Sequence, residues 1–487
     1  MRQAIHIFRK DVRHLWPAIL AVMTLTGVFA YVGALSLPVV MQNSSTLDRY
    51  NSLIQFVVLL GWWYLIAAVI HEEVLPGHQQ FWLTRPYSWK SLLAAKGLFI
   101  LAFVNVPKLL ADCVILQVHG FHAASYWPGL IAWQVLFTAV WLLPYAALAA
   151  ITRNLRQFSL AVLMVWVVLI FLPLFFTSNP SRFPLYSGHS FGATWIQYFI
   201  IIAILLIASL LVLLCQYSQR RTVTSRMMAL FAILLVFGIS QLISVHALMT
   251  LQTRLSKSLV DESPIQIGMD PTRKRPITVV TGSPQGTIQI EIPVQITGLA
   301  EGMDLYSDSL TAEIEGPDGK TFQAAGMIVH EEDGFWQKIY VDQAVFQKLR
   351  EERVTLRTST YLTLLGDRST TQIESQEKGA EVPGLGICRF SQAGESFMLV
   401  CFSPFRRSSL FAKTFFSRME DPHPYIEPGS YSPYPADAGI NPLVVSVRSS
   451  GSSSATLKPT IVTQVSLAHS RHDYVVHELC LGDYAIK

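Results

Sequence analysis

The sequence predicts an α-helical polytopic membrane domain of about seven spans, followed by an extracytoplasmic, mainly-β domain of sandwich-like form. The first observation is the charge distribution: residues 1–250 hold 15 Lys/Arg and 5 Asp/Glu, whereas residues 251–487 hold 22 and 28. Twenty charged groups cannot coat a soluble domain of 250 residues, but fifty in the last 237 make an ordinary soluble composition with chain enough for its own core. The second is a set of seven long apolar segments in the first half. The third is alternating patterning broken by turn residues in the second half. A single soluble enzyme is excluded.

A helix crosses roughly 30 Å of hydrocarbon with about 20 mostly apolar residues. The predicted spans are Leu15 to Leu37, Leu53 to Ile70, Gly97 to Val118, Gly129 to Ala150, Phe158 to Phe176, Trp195 to Cys215 and Met228 to Met249. With a cytoplasmic N-terminus, the inward segments hold twelve Lys/Arg and the outward loops hold only Arg49 and Arg182. Because Lys and Arg resist translocation, this asymmetry predicts N-in, and seven crossings put everything after about Met249 outside. The basic leader resembles a signal peptide, but the 23-residue apolar run and the lack of a small-x-small cleavage site predict a retained anchor.

In and just after residues 1–14, Ile5, Phe8, Val12 and Trp16 recur at helical spacing, opposite Arg2, His6, Arg9, Lys10 and Arg13. This pattern predicts an interfacial helix on the inner leaflet, the alternative being a cytoplasmic extension of the first span. Trp16, Trp127 and Trp195 are placed as interfacial belt residues. Pro144 and Pro173 should bend their spans.

The connection between the second and third spans is informative. It begins His71-Glu72-Glu73, breaks at Pro76-Gly77, continues through Gln80, Phe81, Trp82 and Leu83, stops at Arg85-Pro86, and restarts near Ser88, a plausible N-cap. A short helix with exposed aromatics, held at the membrane surface by two spans, suits docking into a groove on another protein. The alternative is a loop helix resting on the bilayer.

This order, with Glu72/Glu73 ending span two, then Gly77, then Leu83-Thr84-Arg85-Pro86-Tyr87-Ser88, then Lys96 opening span three, resembles the type-two ABC exporter permeases. The resemblance covers roughly the first 220 residues, including residues 2–14 as the family's interfacial helix and residues 15–215 as its six-span core. It implies that residues 72–90 are a coupling segment contacting a separate ABC-type ATPase subunit, with Glu72, Glu73, Gly77, Gln80, Phe81, Trp82, Leu83, Arg85 and Pro86 in that role. It further implies a second permease copy or paralogue, and a bacterial cytoplasmic (inner) membrane as the location. The seventh span and the large outward domain depart from the family pattern.

Such a transporter needs a nucleotide motor. The nearest match to a P-loop is Glu315-Gly316-Pro317-Asp318-Gly319-Lys320-Thr321, where Ile314 stands in place of the required first glycine. Pro-Asp-Gly between Ile314 and Phe322 reads instead as a turn joining two strands. ATP and Mg are therefore expected on the partner ATPase, with no cofactor on this chain. Zinc-protease motifs fail at His71-Glu72, His330-Glu331 and His477-Glu478, because Leu75, Asp333 and Leu481 replace the second histidine. His469, His472, His477 and Cys480 scatter over both faces of a strand-rich segment, so no metal is expected. Neither catalytic residues nor a nucleic-acid partner are expected.

Within the third span, Lys108 and Asp112 share a helical face, with Asn105 and Pro107 just before them suggesting a locally broken helix. Intramembrane charges face a bundle interior or an aqueous path, which makes Asn105, Lys108 and Asp112 candidates for a translocation path; mutual pairing of Lys108 and Asp112 is the alternative.

Residues 251–261 read as a helical stalk and 262–487 as the β-rich domain, divided into two Ig-like modules near residue 378. Ile288, Ile290, Ile292, Val294 and Ile296 alternate with Gln289, Glu291, Pro293 and Gln295, a half-buried strand that Pro293 places at an edge. Further strands are read at 354–358, 361–365, 443–447, 461–467 and 474–479, with one helix at 342–352. The loops at 421–442 and 449–454 are Pro/Tyr-rich and Ser/Gly-rich. Cys388 and Cys401 flank a hairpin turning at Gly394-Glu395, which sets them opposite one another and permits a disulfide; a bridge to Cys480 is the alternative. The expectation is a permease subunit of an ATP-driven exporter. The rival readings are a non-transporting membrane anchor presenting a β-rich sensor or interaction domain, and an extracytoplasmic or intramembrane enzyme.

Overall fold

The structure is a computed structural model that describes residues 2–40, 45–73, 88–177, 194–242, 245–255, 265–273, 286–300, 302–331, 334–373, 379–393, 396–404, 410–417, 425–427, 442–452 and 458–484. Among these residues, six helical segments are long and apolar enough to cross a membrane: Arg2–Leu35, Ser52–His71, Trp89–Val118, Ala123–Ile151, Ile196–Gln219 and Thr222–Ile239. A seventh helix, Leu155–Thr177, contributes the shorter apolar stretch Leu155–Val168 between the fourth and sixth of the predicted spans.

Helix α1 (Arg2–Val40) is continuous over 39 residues, so residues 1–14 do not form a separate interfacial helix. At 1.5 Å per residue it is about 58 Å long, well beyond the hydrocarbon thickness. The face it buries also differs from the expected one. Ile7 and Asp11 are buried and Phe8 meets Phe99 edge-on and stacks on Phe103, whereas Ile5 and Trp16 are exposed. Packing against the third span selects this stripe and turns Trp16 outward.

The remaining helices are α2 (Ser45–His71), α3 (Trp89–Ile100), α4 (Val106–Val118), α5 (Trp127–Phe137), α6 (Leu143–Ile151), α7 (Leu155–Thr177), α8 (Thr194–Leu214), α9 (Thr222–Leu242) and α10 (Val245–Leu255). α3 and α4 make the third span, joined by a π-turn at Leu101–Asn105; α5 and α6 make the fourth, joined by a π-turn at Thr138–Leu142. The helix corresponding to the predicted seventh span is long and apolar enough to cross a membrane over Thr222–Ile239, earlier than Met228 to Met249, because α10 is amphipathic and buries Leu248, Met249 and Gln252.

The β domain contains β1 (Gln266–Met269), β2 (Thr287–Thr297), β3 (Asp304–Glu315), β4 (Thr321–Glu331), β5 (Gly334–Asp342), α11 (Gln343–Leu349), β6 (Arg353–Gln372), β7 (Ala380–Val382), β8 (Gly386–Ala393), β9 (Ser396–Pro404), β10 (Leu410–Ser417), β11 (Tyr425–Glu427), β12 (Leu443–Ser452) and β13 (Lys458–Cys480). Nine strands form one sheet in the order β1-β2-β5-β4-β3-β6-β13-β10-β11, and four form a second in the order β12-β9-β8-β7. Val382, Cys388, Leu399 and Cys401 of the small sheet pack on Ile461 and Val465 of the large one.

Four sequence expectations are corrected here. Four predicted short strands are two long ones, β6 and β13, which pair with each other from Cys480↔Arg353 to Thr460↔Gln372. This pairing carries the large sheet across residue 378, so the chain does not divide there into two modules. β2 lies one strand in from the edge, and Pro293 falls where the β1 ladder ends at Met269↔Val294. There the Asp270 N–H donates to the Pro293 carbonyl at 3.0 Å, and the ladder ends because proline has no N–H to return the bond. β2 is also buried on both faces over residues 289–294, because Gln289 Nε2 and Lys338 Nζ both engage the Glu291 carboxylate.

Candidate functional site

The candidate site lies where the first three spans meet at the end of the bundle that holds residues 2–14, and a basic extension, an acidic helix end and a lysine come together there. α1 runs on without a helix breaker in residues 2–14, and this brings three of its side chains, Gln3, Lys10 and His14, onto Ser88, Glu73 and Glu72. Lys10 Nζ bonds Glu73 Oε1 at 3.0 Å and His14 Nε2 pairs with Glu72 Oε1 at 3.2 Å. The backbone N–H of Ser88 donates to Gln3 Oε1 at 3.4 Å. Ser88 is the predicted N-cap, its hydroxyl accepting from the Ser91 N–H at 3.2 Å.

Lys96 joins these parts. Its Nζ stands 2.8 Å from Asp11 Oδ2 and 3.1 Å from Glu73 Oε2, and all three side chains are buried. Two carboxylates and two ammonium groups balance, which is what allows ions to remain charged out of water. Tyr217, also buried, lies near the Glu73 and Asp11 carboxylates at the end of the sixth predicted span. Beside it, His71 Nε2 bonds the Ala149 carbonyl oxygen at 3.1 Å, tying the end of the second span to the fourth.

A second cross-link fixes the depth of this node. His119 Nε2 donates to the Gly33 carbonyl at 3.0 Å. Asp11 to Gly33 and Lys96 to His119 each span about 33–35 Å of helix, close to one hydrocarbon thickness. The ion node and the His119 contact therefore mark opposite ends of the spans.

Of the sequence-predicted coupling residues, Glu72 and Glu73 take part in the node; Gly77, Gln80, Phe81, Trp82, Leu83, Arg85 and Pro86 lie outside the described residues. Lys108 and Asp112 are fully buried and pair with each other, Nζ to Oδ1 at 2.5 Å, with Lys108 over the rings of Phe29 and Phe137 at 5.7 and 5.5 Å. Asn105 donates to Thr138 Oγ1 at 2.6 Å. These three path candidates thus face the interior of the helix bundle. The disulfide Cys388–Cys401 is formed, with the two residues directly opposite and Cα atoms 3.9 Å apart.

His469 bonds Thr363 and Gln252, His472 bonds Ser470, and Cys480 bonds the Arg350 carbonyl, so these groups point to different neighbours. Among the described residues no three His, Cys, Asp or Glu side chains stand together as metal ligands. Sequence reasoning missed Asp11, Gln134 and Thr138. Asp11 carried a signal: it is the lone carboxylate in a basic leader and shares the apolar stripe with Ala4, Ile7 and Leu15. Gln134 and Thr138 carried none, since a polar residue in a span gains meaning only from what faces it.

The β domain rests on the ends of the spans opposite the ion node. Phe402, Ile387 and Leu443 pack with Leu116, Phe121 and Leu130; Tyr361 packs with Ile196, Leu248 and Met249 and bonds Thr250 at 2.9 Å. Compared with known protein families, with curated proteins and with solved structures, the chain matches none.

Proposed function

We propose that this chain is the permease subunit of an ATP-driven exporter of the ABC type, docking a separate ATPase through residues 72–90. The observation that supports it is the Lys96 node. A segment tied at Glu72, Glu73 and Ser88 to α1, and through Lys96 to the third span, cannot be displaced without moving the first and third spans together. That is the linkage a docked motor requires, and a loop resting on the bilayer has no need of it. In this reading the N-terminus and node are cytoplasmic, the β domain is extracytoplasmic, the membrane is the bacterial inner membrane, and a second copy or paralogue completes the path. ATP and Mg belong to the ATPase chain.

The test is an affinity pull-down of the detergent-solubilised protein from its native membrane, with Trp82→Ala plus Arg85→Ala beside the wild type. The expected result is an ATPase recovered with the wild type and lost with the variant. A well-folded wild type that brings down no ATPase would overturn the proposal in favour of the membrane-anchored interaction domain.

A further inference from the structure

The third and fourth spans are each broken once, and the two breaks face each other. At Leu101–Asn105 the ladder shifts so that the Val106 N–H bonds the Leu101 carbonyl; at Thr138–Leu142 the Leu143 N–H bonds the Thr138 carbonyl. A proline follows two positions after each break, Pro107 and Pro144. Proline has no N–H, and its ring crowds the carbonyl four residues back, here Phe103 and Val140, the middle residue of each π-turn. The π register relieves that crowding and leaves each helix with a locally weaker ladder, and such turns concentrate at functional sites. Asn105 Nδ2 donates to Thr138 Oγ1 at 2.6 Å and reaches Gln134 Oε1 at 3.4 Å, which places both breaks at one depth and bonds them together.

Beyond the breaks, residues 106–137 form a helical hairpin: α4, a turn, and α5. Its two limbs hold each other, since Asp112 pairs with Lys108 on its own limb and Gln134 Nε2 from the other limb reaches Asp112 Oδ2 at 3.5 Å. Its tip is clasped by the β domain. Ile387 and Phe402 are direct cross-strand partners, next to the Cys388–Cys401 disulfide, and both pack on the tip with Leu443. The tip also touches the first span through His119 and Gly33.

We propose that residues 106–137 tilt as one unit about the paired π-turns, with the β8–β9 hairpin as the handle, so that the β domain sets whether the outer ends of the third and fourth spans rest on the first span or part from it. As an outer gate this rests on the permease reading; the hinged motion itself needs no ATPase and is tested without one.

The experiment uses the full chain in phospholipid nanodiscs with Cys113→Ser, Cys215→Ser and Cys480→Ser, which keeps the disulfide. Nitroxides at Lys90→Cys and Ser125→Cys bracket the hinge; a second pair at Ser125→Cys and Glu381→Cys joins tip and handle; a pair at Lys320→Cys and Glu381→Cys lies within the β domain and reports its folding. Distance distributions are read by pulsed electron paramagnetic resonance. Asn105→Ala is expected to lose the single narrow peak across the hinge while tip and handle keep theirs. Adding Pro107→Ala and Pro144→Ala restores the hinge peak. Phe402→Asp, with Phe402→Ala as the milder variant should the control pair report misfolding, loses the tip-to-handle peak. An unchanged hinge peak in Asn105→Ala, or loss of both peaks together, would overturn the proposal.

Discussion

Replacing Lys96 by methionine removes the cation shared by Asp11 and Glu73 and keeps the volume of its stem. At an effective dielectric constant of about 20, the 2.8 Å separation from Asp11 corresponds to roughly 6 kcal/mol of attraction, much of it offset by lost hydration. What remains after the substitution is two buried carboxylates with the half-exposed Lys10 beside them. Orphaning a buried charge in this way costs about 3–5 kcal/mol. The charge-balanced pair Asp11→Asn with Lys96→Met keeps the Lys10–Glu73 contact and loses about 1–2 kcal/mol. The two substitutions should therefore show a coupling of at least about 1 kcal/mol. Unfolding titrations of the full chain in mixed micelles, followed by circular dichroism, give the four stabilities of this cycle. Additivity within about 0.5 kcal/mol would refute the reasoning, because independent sites behave that way.

Three further outcomes follow from the same physics. Lys108→Met should destabilise by about 3–5 kcal/mol by stranding Asp112, and Lys108→Met with Asp112→Leu should recover most of it in the same titration; failure of the double variant to recover would point to a role beyond pairing. Gly326→Ala should destabilise the β domain by at least about 1–3 kcal/mol, since a Cβ there would lie 2.0 Å from the Lys338 carbonyl oxygen, which the β4–β5 ladder holds in place; proteolytic resistance of the domain reads this. Burial pushes the His472 imidazole below its ordinary value, with Asp473 partly opposing. The folded state thus prefers the neutral ring, so its contribution is complete above about pH 6.5 and is lost as pH falls below that value. Hydrogen exchange of β13 against pH should show this slope, and His472→Gln should flatten it.

The local features legible in the sequence are those whose cause lies within a few residues. The pairing of Ala393 with Ser396 sets the register that puts Cys388 opposite Cys401, and Ser88 caps α3 because its hydroxyl meets a free N–H three residues on. Asp342 likewise caps α11 through the Ala344 N–H. The short strands read at 354–358 and 361–365 were segments of one ribbon, since a strand's length depends on whether a partner continues beside it, and β13 does.

By itself the sequence determined that a helical membrane half precedes a β-rich half, because apolar length and charge density answer directly to the solvent each half meets. It also pointed to the breaks near Pro107 and Pro144, although α1 runs through Pro17 and α7 through Pro173 without a π-turn, so proline alone did not decide where a span breaks. Only the tertiary structure decided that α1 runs on as one helix and bonds Glu72, Glu73 and Ser88, that Asp11 completes the Lys96 node, and that Asn105 bonds Thr138 across two spans. Buried charges and amides are stable only with partners in place, and those partners stand 85 and 33 residues away in the chain, beyond the reach of any local pattern.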